Sequence, residues 1–213
     1  MSILKTPNKI LFIDFNGVIS YDRFWKELED ETHPLHSYHQ PIENFLFKEK
    51  PEIIKDWMLG KYTSEEIHEI LNDAVGVPYL QLFEIFERGC RNIDISSSVL
   101  EKIQELRKDY NCILATGNMD SFDRFTLPNN SILKESFDEI ENSYNLGIFK
   151  TTNNGQYFLD KANSLGAGIS NCVVIDDSAS VCKVFEGLGG RALRSFGVEE
   201  VVGSLEMLKV ENV

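Results

Sequence analysis

Lys9-Ile10-Leu11-Phe12-Ile13-Asp14-Phe15-Asn16-Gly17-Val18-Ile19 is the first apolar run of the chain, interrupted by a carboxylate, an amide and a glycine. Four consecutive apolar residues without polar alternation describe a strand covered on both faces, as parallel sheets flanked by helices require. Two later runs have the same form, Cys112-Ile-Leu-Ala-Thr116 and Cys172-Val-Val-Ile-Asp176, each ending on a polar residue before a turn. Arg191-Ala-Leu193 reads as a further short strand after Gly187, Gly189 and Gly190. Helical patterns lie between and after these runs: Ser97 to Tyr110, Asn154 to Leu165, Ser178 to Leu188 and Val198 to Leu208. Ser97 or Ser98 reads as the cap of the first. The alternation predicts an α/β, Rossmann-like parallel sheet with helices on both faces. Ligands of such sheets sit beyond the carboxyl ends of the strands, where Asp14, Thr116 and Asp176 would meet.

Residues 20–90 break the alternation. Helical patterns run over Tyr21 to Glu31, Ile42 to Lys48, Glu52 to Leu59, Ser64 to Asp73 and Leu80 to Arg88, with no strand pattern among them. Ser64-Glu-Glu-Ile67 fits a helix start with a hydroxyl cap and carboxylates in the first turn. The expected organisation is therefore a core of residues 1–19 and 91–213, with a small all-helical cap of residues 20–90 inserted after the first strand. Phe83 and Phe86 read as helix core. His33, His36 and His39 recur every third residue, but Pro34 and Pro41 are expected to interrupt a regular helix there, and nothing completes a tetrahedral zinc set. Two readings of this stretch stay open. One is a polar loop facing a substrate, with Arg23, Trp25 and Tyr38; the other is a surface loop anchored by Phe24 and Trp25.

The 213 residues suffice for one sizeable core with an insert. Lysine and arginine number 21 against 34 aspartates and glutamates, a formal net charge of -13 that repels nucleic-acid phosphates and anionic membranes. No nucleic-acid or membrane partner is expected, and a phosphorylated ligand would need local cations or a metal. The four cysteines, Cys90, Cys112, Cys172 and Cys182, show no CxxC spacing and predict free thiols in a reducing, cytoplasmic setting.

In order along the chain, Asp14-Phe-Asn-Gly-Val-Ile19, Thr116, Lys150 and Asp176-Asp177 resemble the four motifs of the haloacid dehalogenase (HAD) superfamily, and the helical insert resembles that superfamily's class I cap. The resemblance spans residues 9 to 195. It implies a Mg²⁺-dependent phosphatase acting on a small phosphorylated metabolite. Asp14 would form an aspartyl-phosphate, while Asp14, Asp177 and the backbone carbonyl of Asn16 bind the metal and Asp176 holds a metal-bound water. Thr116, with the amides of Gly117 and Asn118, would bind the phosphoryl oxygens, and Lys150 would offset negative charge. Arg23 is a further candidate for substrate contact.

The sequence departs from the pattern in three places. The superfamily's phosphatases carry Asp two positions after the nucleophile, as the general acid and base; here it is Asn16, whose amide has no transferable proton. Val181 stands where a supporting Asp or Asn is usual, and Thr151 rather than proline follows Lys150. Three readings follow: a phosphatase attenuated or suited to good leaving groups, a catalytically degenerate phosphate- and metal-binding or regulatory protein, and a metal-independent 2-haloacid dehalogenase. The paired acids Asp176-Asp177 argue against the last.

Overall fold

The computed structural model describes residues 9–210. Five strands form one parallel sheet in the order β3-β2-β1-β4-β5: β1 is Ile10–Ile13, β2 Asn111–Thr116, β3 Glu139–Asn142, β4 Cys172–Asp176 and β5 Arg191–Arg194. The expected Rossmann-like architecture is what the chain adopts. β1 is central and wholly buried, and its side chains divide by parity. Leu11 and Ile13 pack on Val99, Ile103, Leu205 and Leu208, from the Ser97–Leu106 and Val198–Val210 helices. Ile10 and Phe12 pack on Phe158, Ala162 and Phe185, from the Gln156–Ser164 and Ala179–Gly187 helices. Each such side chain contributes about 1.5–3 kcal/mol by leaving water.

Register sets the site. Ile13 lies opposite both Leu114 and Ile175, so Asp14 leaves the sheet level with Asp176. Thr116 pairs with Asn142 on β3, a strand that the apolar pattern does not announce. Glu139-Ile-Glu-Asn has one apolar residue, yet it suffices at a sheet edge. Lys161 bridges Glu139 and Glu141 at 2.8 and 2.5 Å, and Tyr157 donates to Glu141.

Between β1 and β2 the regular elements among the described residues are all helices, joined by turns and loops, with an isolated bridge of Asn16 with Ser20. The helix expected over Tyr21 to Glu31 reduces to one 3-10 turn, Lys26–Glu29, because Trp25 takes a left-handed conformation (φ 54°) that buries its indole. Conversely, Pro41 lies inside a helix, His36–Asn44, rather than interrupting it. Proline removes the bond to the carbonyl four residues back, but Ser37 and Pro41 are both exposed, so water can satisfy that carbonyl while Ile42 anchors the helix in the core. The Ser64–Val75 helix starts as expected, with Thr63 rather than Ser64 as its hydroxyl cap: Thr63 Oγ1 accepts from the Glu66 amide and the Glu66 carboxylate accepts from the Thr63 amide. The Ser97–Leu106 helix is preceded by Ser96, whose side chain makes no capping bond. Phe86 is buried in the same cluster as Trp25 and Trp57, with Phe83 packed against it. Among the described residues, no helix is long and apolar enough to cross a membrane.

Candidate active site

The carboxyl ends of β1 and β4 bring Asp14, Asp176 and Asp177 together. One oxygen from each lies within 4.8 Å of the others, and among the described residues this is the one cluster of acids, histidines or cysteines with metal-binding spacing. Gly17 makes the approach geometrically feasible. It turns at φ 77°, and a Cβ there would stand 2.7 Å from Asp177 Oδ2. Phe15, fully buried edge-on against Phe122 at 5.0 Å, anchors the other side of the turn.

Lys150 is held in the turn before Thr152 by reciprocal bonds between Phe149 and Thr152. Its ammonium lies 3.1 Å from Asp14 Oδ1 and 2.5 Å from Asp176 Oδ2. Burial works against its charge, yet the two carboxylates hold its pKa above the ordinary lysine value. Asp176, with no exposed surface, also accepts from the Ser178 amide through Oδ1, so both its oxygens are engaged. Asp14 is less well served. Desolvation raises its pKa to about 6 and Asp176 adds to this, against the pull of Lys150. Desolvation, with Asp176 second, raises that of Asp177 too. Asp14 Oδ1 has the lysine near it but no hydrogen bond of acceptable angle, and Thr116 Oγ1, equally buried, has no hydrogen-bond partner. Buried polar atoms are ordinarily satisfied, and two orphans beside three carboxylates and a lysine are the mark of a place built for something else.

Asn16, exposed on the turn, and Gly117 and Asn118, after β2, line a cavity of about 930 Å³ under the helical segment. Arg23, Trp25 and His33 also line it. The acids themselves are not part of the cavity lining, but Phe15 and Asn16, next to Asp14 in the chain, and Gly117, next to Thr116, are. The Asn118 amide is already committed: it donates to Asn142 Oδ1 at 3.1 Å and so differs from the phosphoryl donor expected of it. Asn142, buried at the end of β3, also donates to the Met119 carbonyl and to Asp123, and thereby shapes the loop after Thr116. Nothing in the apolar pattern singles it out, because its work is done across the sheet. The histidines stay local. His33 Nδ1 accepts from the Leu35 amide, and His36 Nδ1 donates to the Leu28 carbonyl. The four cysteines are free and buried.

No protein-family model matches the sequence, and no curated protein matches it. Solved structures do match its fold. A "predicted HAD-like family hydrolase" from Porphyromonas gingivalis is 20% identical with a TM-score of 0.71, over 96% of this chain and 98% of that one. A HAD family enzyme from Bacteroides thetaiotaomicron, in complex with magnesium and inorganic phosphate, is 20% identical with a TM-score of 0.64, over 87% and 92%. The L-2-haloacid dehalogenase of Xanthobacter autotrophicus, with chloropropionic acid covalently bound, is 13% identical with a TM-score of 0.59, over 93% and 88%. The chain thus has the fold of HAD-like hydrolases.

Proposed function

We propose that the protein is a HAD-like hydrolase, a Mg²⁺-dependent phosphohydrolase acting on a small phosphorylated molecule through an aspartyl-phosphate at Asp14. The observation that carries this reading is the pair of orphaned atoms, Asp14 Oδ1 and Thr116 Oγ1, beside the Asp176–Asp177 pair and Lys150. The residues fit a hard divalent cation: a carboxylate oxygen of Asp14, one of Asp177 and the Asn16 carbonyl would hold it. Asp176, whose oxygens are both bonded, suits an outer place orienting the inner ligands. Bound there, Mg²⁺ would offset the charge shared by nucleophile and phosphate. The Bacteroides complex, which holds magnesium and inorganic phosphate, supports these two as the groups bound here.

In this reading Asp14 attacks phosphorus as the ester P–O bond breaks, and water then releases phosphate from the acyl phosphate, dividing one hard displacement into two. Lys150 keeps Asp14 ionised against its desolvation, and Thr116 donates to a phosphoryl oxygen. Residues 20–90 act as the cap over the site, and residues 1–19 with 91–213 as its core. Four free thiols agree with a reducing, cytoplasmic setting. Asn16 favours a second reading, a phosphate- and metal-binding protein with little turnover.

The test is incubation with Mg²⁺ and acetyl phosphate or a panel of phosphate esters. Phosphate release that stops on chelation, with a phosphoryl mass increment on Asp14, is the expected result. Phosphate binding without adduct or turnover would leave the second reading, and metal-independent halide release from 2-haloacids would replace both.

A further inference from the structure

Resting on that phosphohydrolase reading, we propose that the substrates are aryl phosphates, monoesters of a phenolic oxygen, with the aromatic body seated in the cavity under the helical segment. Two independent features converge on this class. The first is the missing proton. An aliphatic alkoxide is about as basic as hydroxide. It therefore leaves well only if protonated as the P–O bond breaks, help worth about 10²–10⁴ in rate. A phenolate resembles the tyrosine side chain, pKa about 10, and leaves without it. Asn16, two residues after Asp14, can orient the leaving oxygen but not protonate it.

Three of the four carboxylates on the cavity wall are no substitute. Asp22 is held by Lys26 at 2.6 Å and by the Asp94 amide at 2.8 Å. Glu27 takes two bonds from Arg88, and Asp30 takes two from Thr32. All three are thereby kept as anions. Glu43 and His33 complete the lining acids and bases near the helical segment, and the Cys90 thiol, pushed up to about 12 by burial, is inert as an acid–base.

The second feature is the lining itself. Phe24, Trp25 and Phe86 form a continuous aromatic wall, with ring centres 5.2 to 5.8 Å apart, and Ile54, Met58 and Ile85 extend it. Each hydroxyl of a polyol leaving group laid against these side chains would lack a partner, at a cost of about 1–3 kcal/mol. It would have to turn to the polar part of the lining, at Asn92, Ser121 and Thr126 among others. An aromatic ring gains from the same surface. About 930 Å³ accommodates a ring with substituents. Arg23 is the lining cation without an ion pair among the described residues, whereas Lys26 and Arg88 are paired, so its guanidinium is available to the ring or to an acidic substituent. The step balances: Asp14 forms the O–P bond, the aryl C–O–P bridge breaks at phosphorus, and the electron pair leaves as phenolate, which takes its proton from solvent. Water then returns Asp14 and inorganic phosphate.

The experiment measures kcat/KM with Mg²⁺ for ring-substituted phenyl phosphates, for alkyl phosphates such as glycerol phosphate, and for acetyl phosphate. The expected result is a steep rise as the phenol becomes more acidic, with alkyl esters slower by about 10²–10⁴. Phenylphosphonate, which cannot be hydrolysed, should inhibit at least about tenfold more tightly than methylphosphonate, a margin within the reach of one buried ring. In Phe24→Ala the preference for phenyl over acetyl phosphate should narrow by a similar factor. Alkyl esters turned over as well as aryl esters, or a flat dependence on leaving-group acidity, would overturn the inference; a flat line would point to Glu43 or His33 as proton donor. Acetyl phosphate turnover in that case would leave the phosphohydrolase reading standing, whereas no turnover and no phosphonate binding would overturn both.

Discussion

Two aspartates lie in the loops that follow neighbouring strands, and their surroundings are opposite. Asp120, 2% exposed, accepts hydrogen bonds from the Trp57 indole at 2.7 Å, the Ser64 amide and hydroxyl at 3.0 and 2.8 Å, and Arg124 at 2.7 Å. Arg124 in turn grips Glu65 with two nitrogens. This network ties the loop after β2 to the helices between β1 and β2. Asp14 shares one lysine with Asp176 and keeps an oxygen without a hydrogen bond. A buried carboxylate whose bonds are complete belongs to the fold; one whose bonds are incomplete is held ready for a ligand.

The comparison breaks most decisively at Asp14. Asp14→Asn is expected to reduce phosphate release below detection while leaving the protein at least as stable to urea. A gain at neutral pH is expected, because desolvation raises the Asp14 pKa from 3.8 to about 6, so the charged carboxylate is disfavoured in the folded state, while Asp176 still pairs with Lys150. Asp120→Ala should do the reverse. It strands Trp57, Ser64 and part of Arg124, and a loss of about 3–5 kcal/mol in urea unfolding is expected. If Asp14→Asn proved as destabilising as Asp120→Ala, the distinction between the two sites would fail.

A smaller effect sharpens the same contrast within the helical segment. His68, fully buried, accepts from the Trp25 indole at Nε2 and donates from Nδ1 to the Ser64 carbonyl, an arrangement complete only for the neutral ring. Burial lowers its pKa to about 4 from 6.5. The unfolded chain therefore takes up a proton that the folded chain refuses. The stabilisation is fully present above pH 6.5 and is lost as pH falls toward 4, by about 2–3 kcal/mol at pH 4.5. Asp14 contributes with the opposite sign over much of that window, so the measurement belongs in the Asp14→Asn protein. Its urea stability at pH 7 and pH 4.5 should differ by that much more than in a His68→Gln counterpart.

The strands β1, β2 and β4 were legible because burial on both faces leaves an unbroken apolar run, and Asp14, Thr116 and Asp176 stand where those runs end, whereas Lys150 was legible only through the resemblance to the HAD motifs. β3 was not legible, because an edge strand can be held by charges that only Lys161 and Tyr157 neutralise. Neither was the work of Asn142, Asp120 or His68. Each is a polar residue whose partners come from other elements, and no local spacing reports a contact across 19 to 63 residues. The left-handed Trp25 and the helical Pro41 went against local propensity for the same reason, since core packing outweighed it in both.

What the sequence by itself determined is the parallel α/β sheet with a helical insert and the identity of the residues at its carboxyl edge, Asp14, Thr116, Lys150, Asp176 and Asp177. Periodicity and the polar ends of apolar runs are local properties of the chain. Only the tertiary structure decided which atoms there are satisfied. It left Asp14 Oδ1 and Thr116 Oγ1 open, committed the Asn118 amide to Asn142, and set Asn16 at the mouth of an aromatic cavity. Hydrogen-bond satisfaction and cavity lining depend on neighbours brought from distant segments, which no reading along the chain can supply.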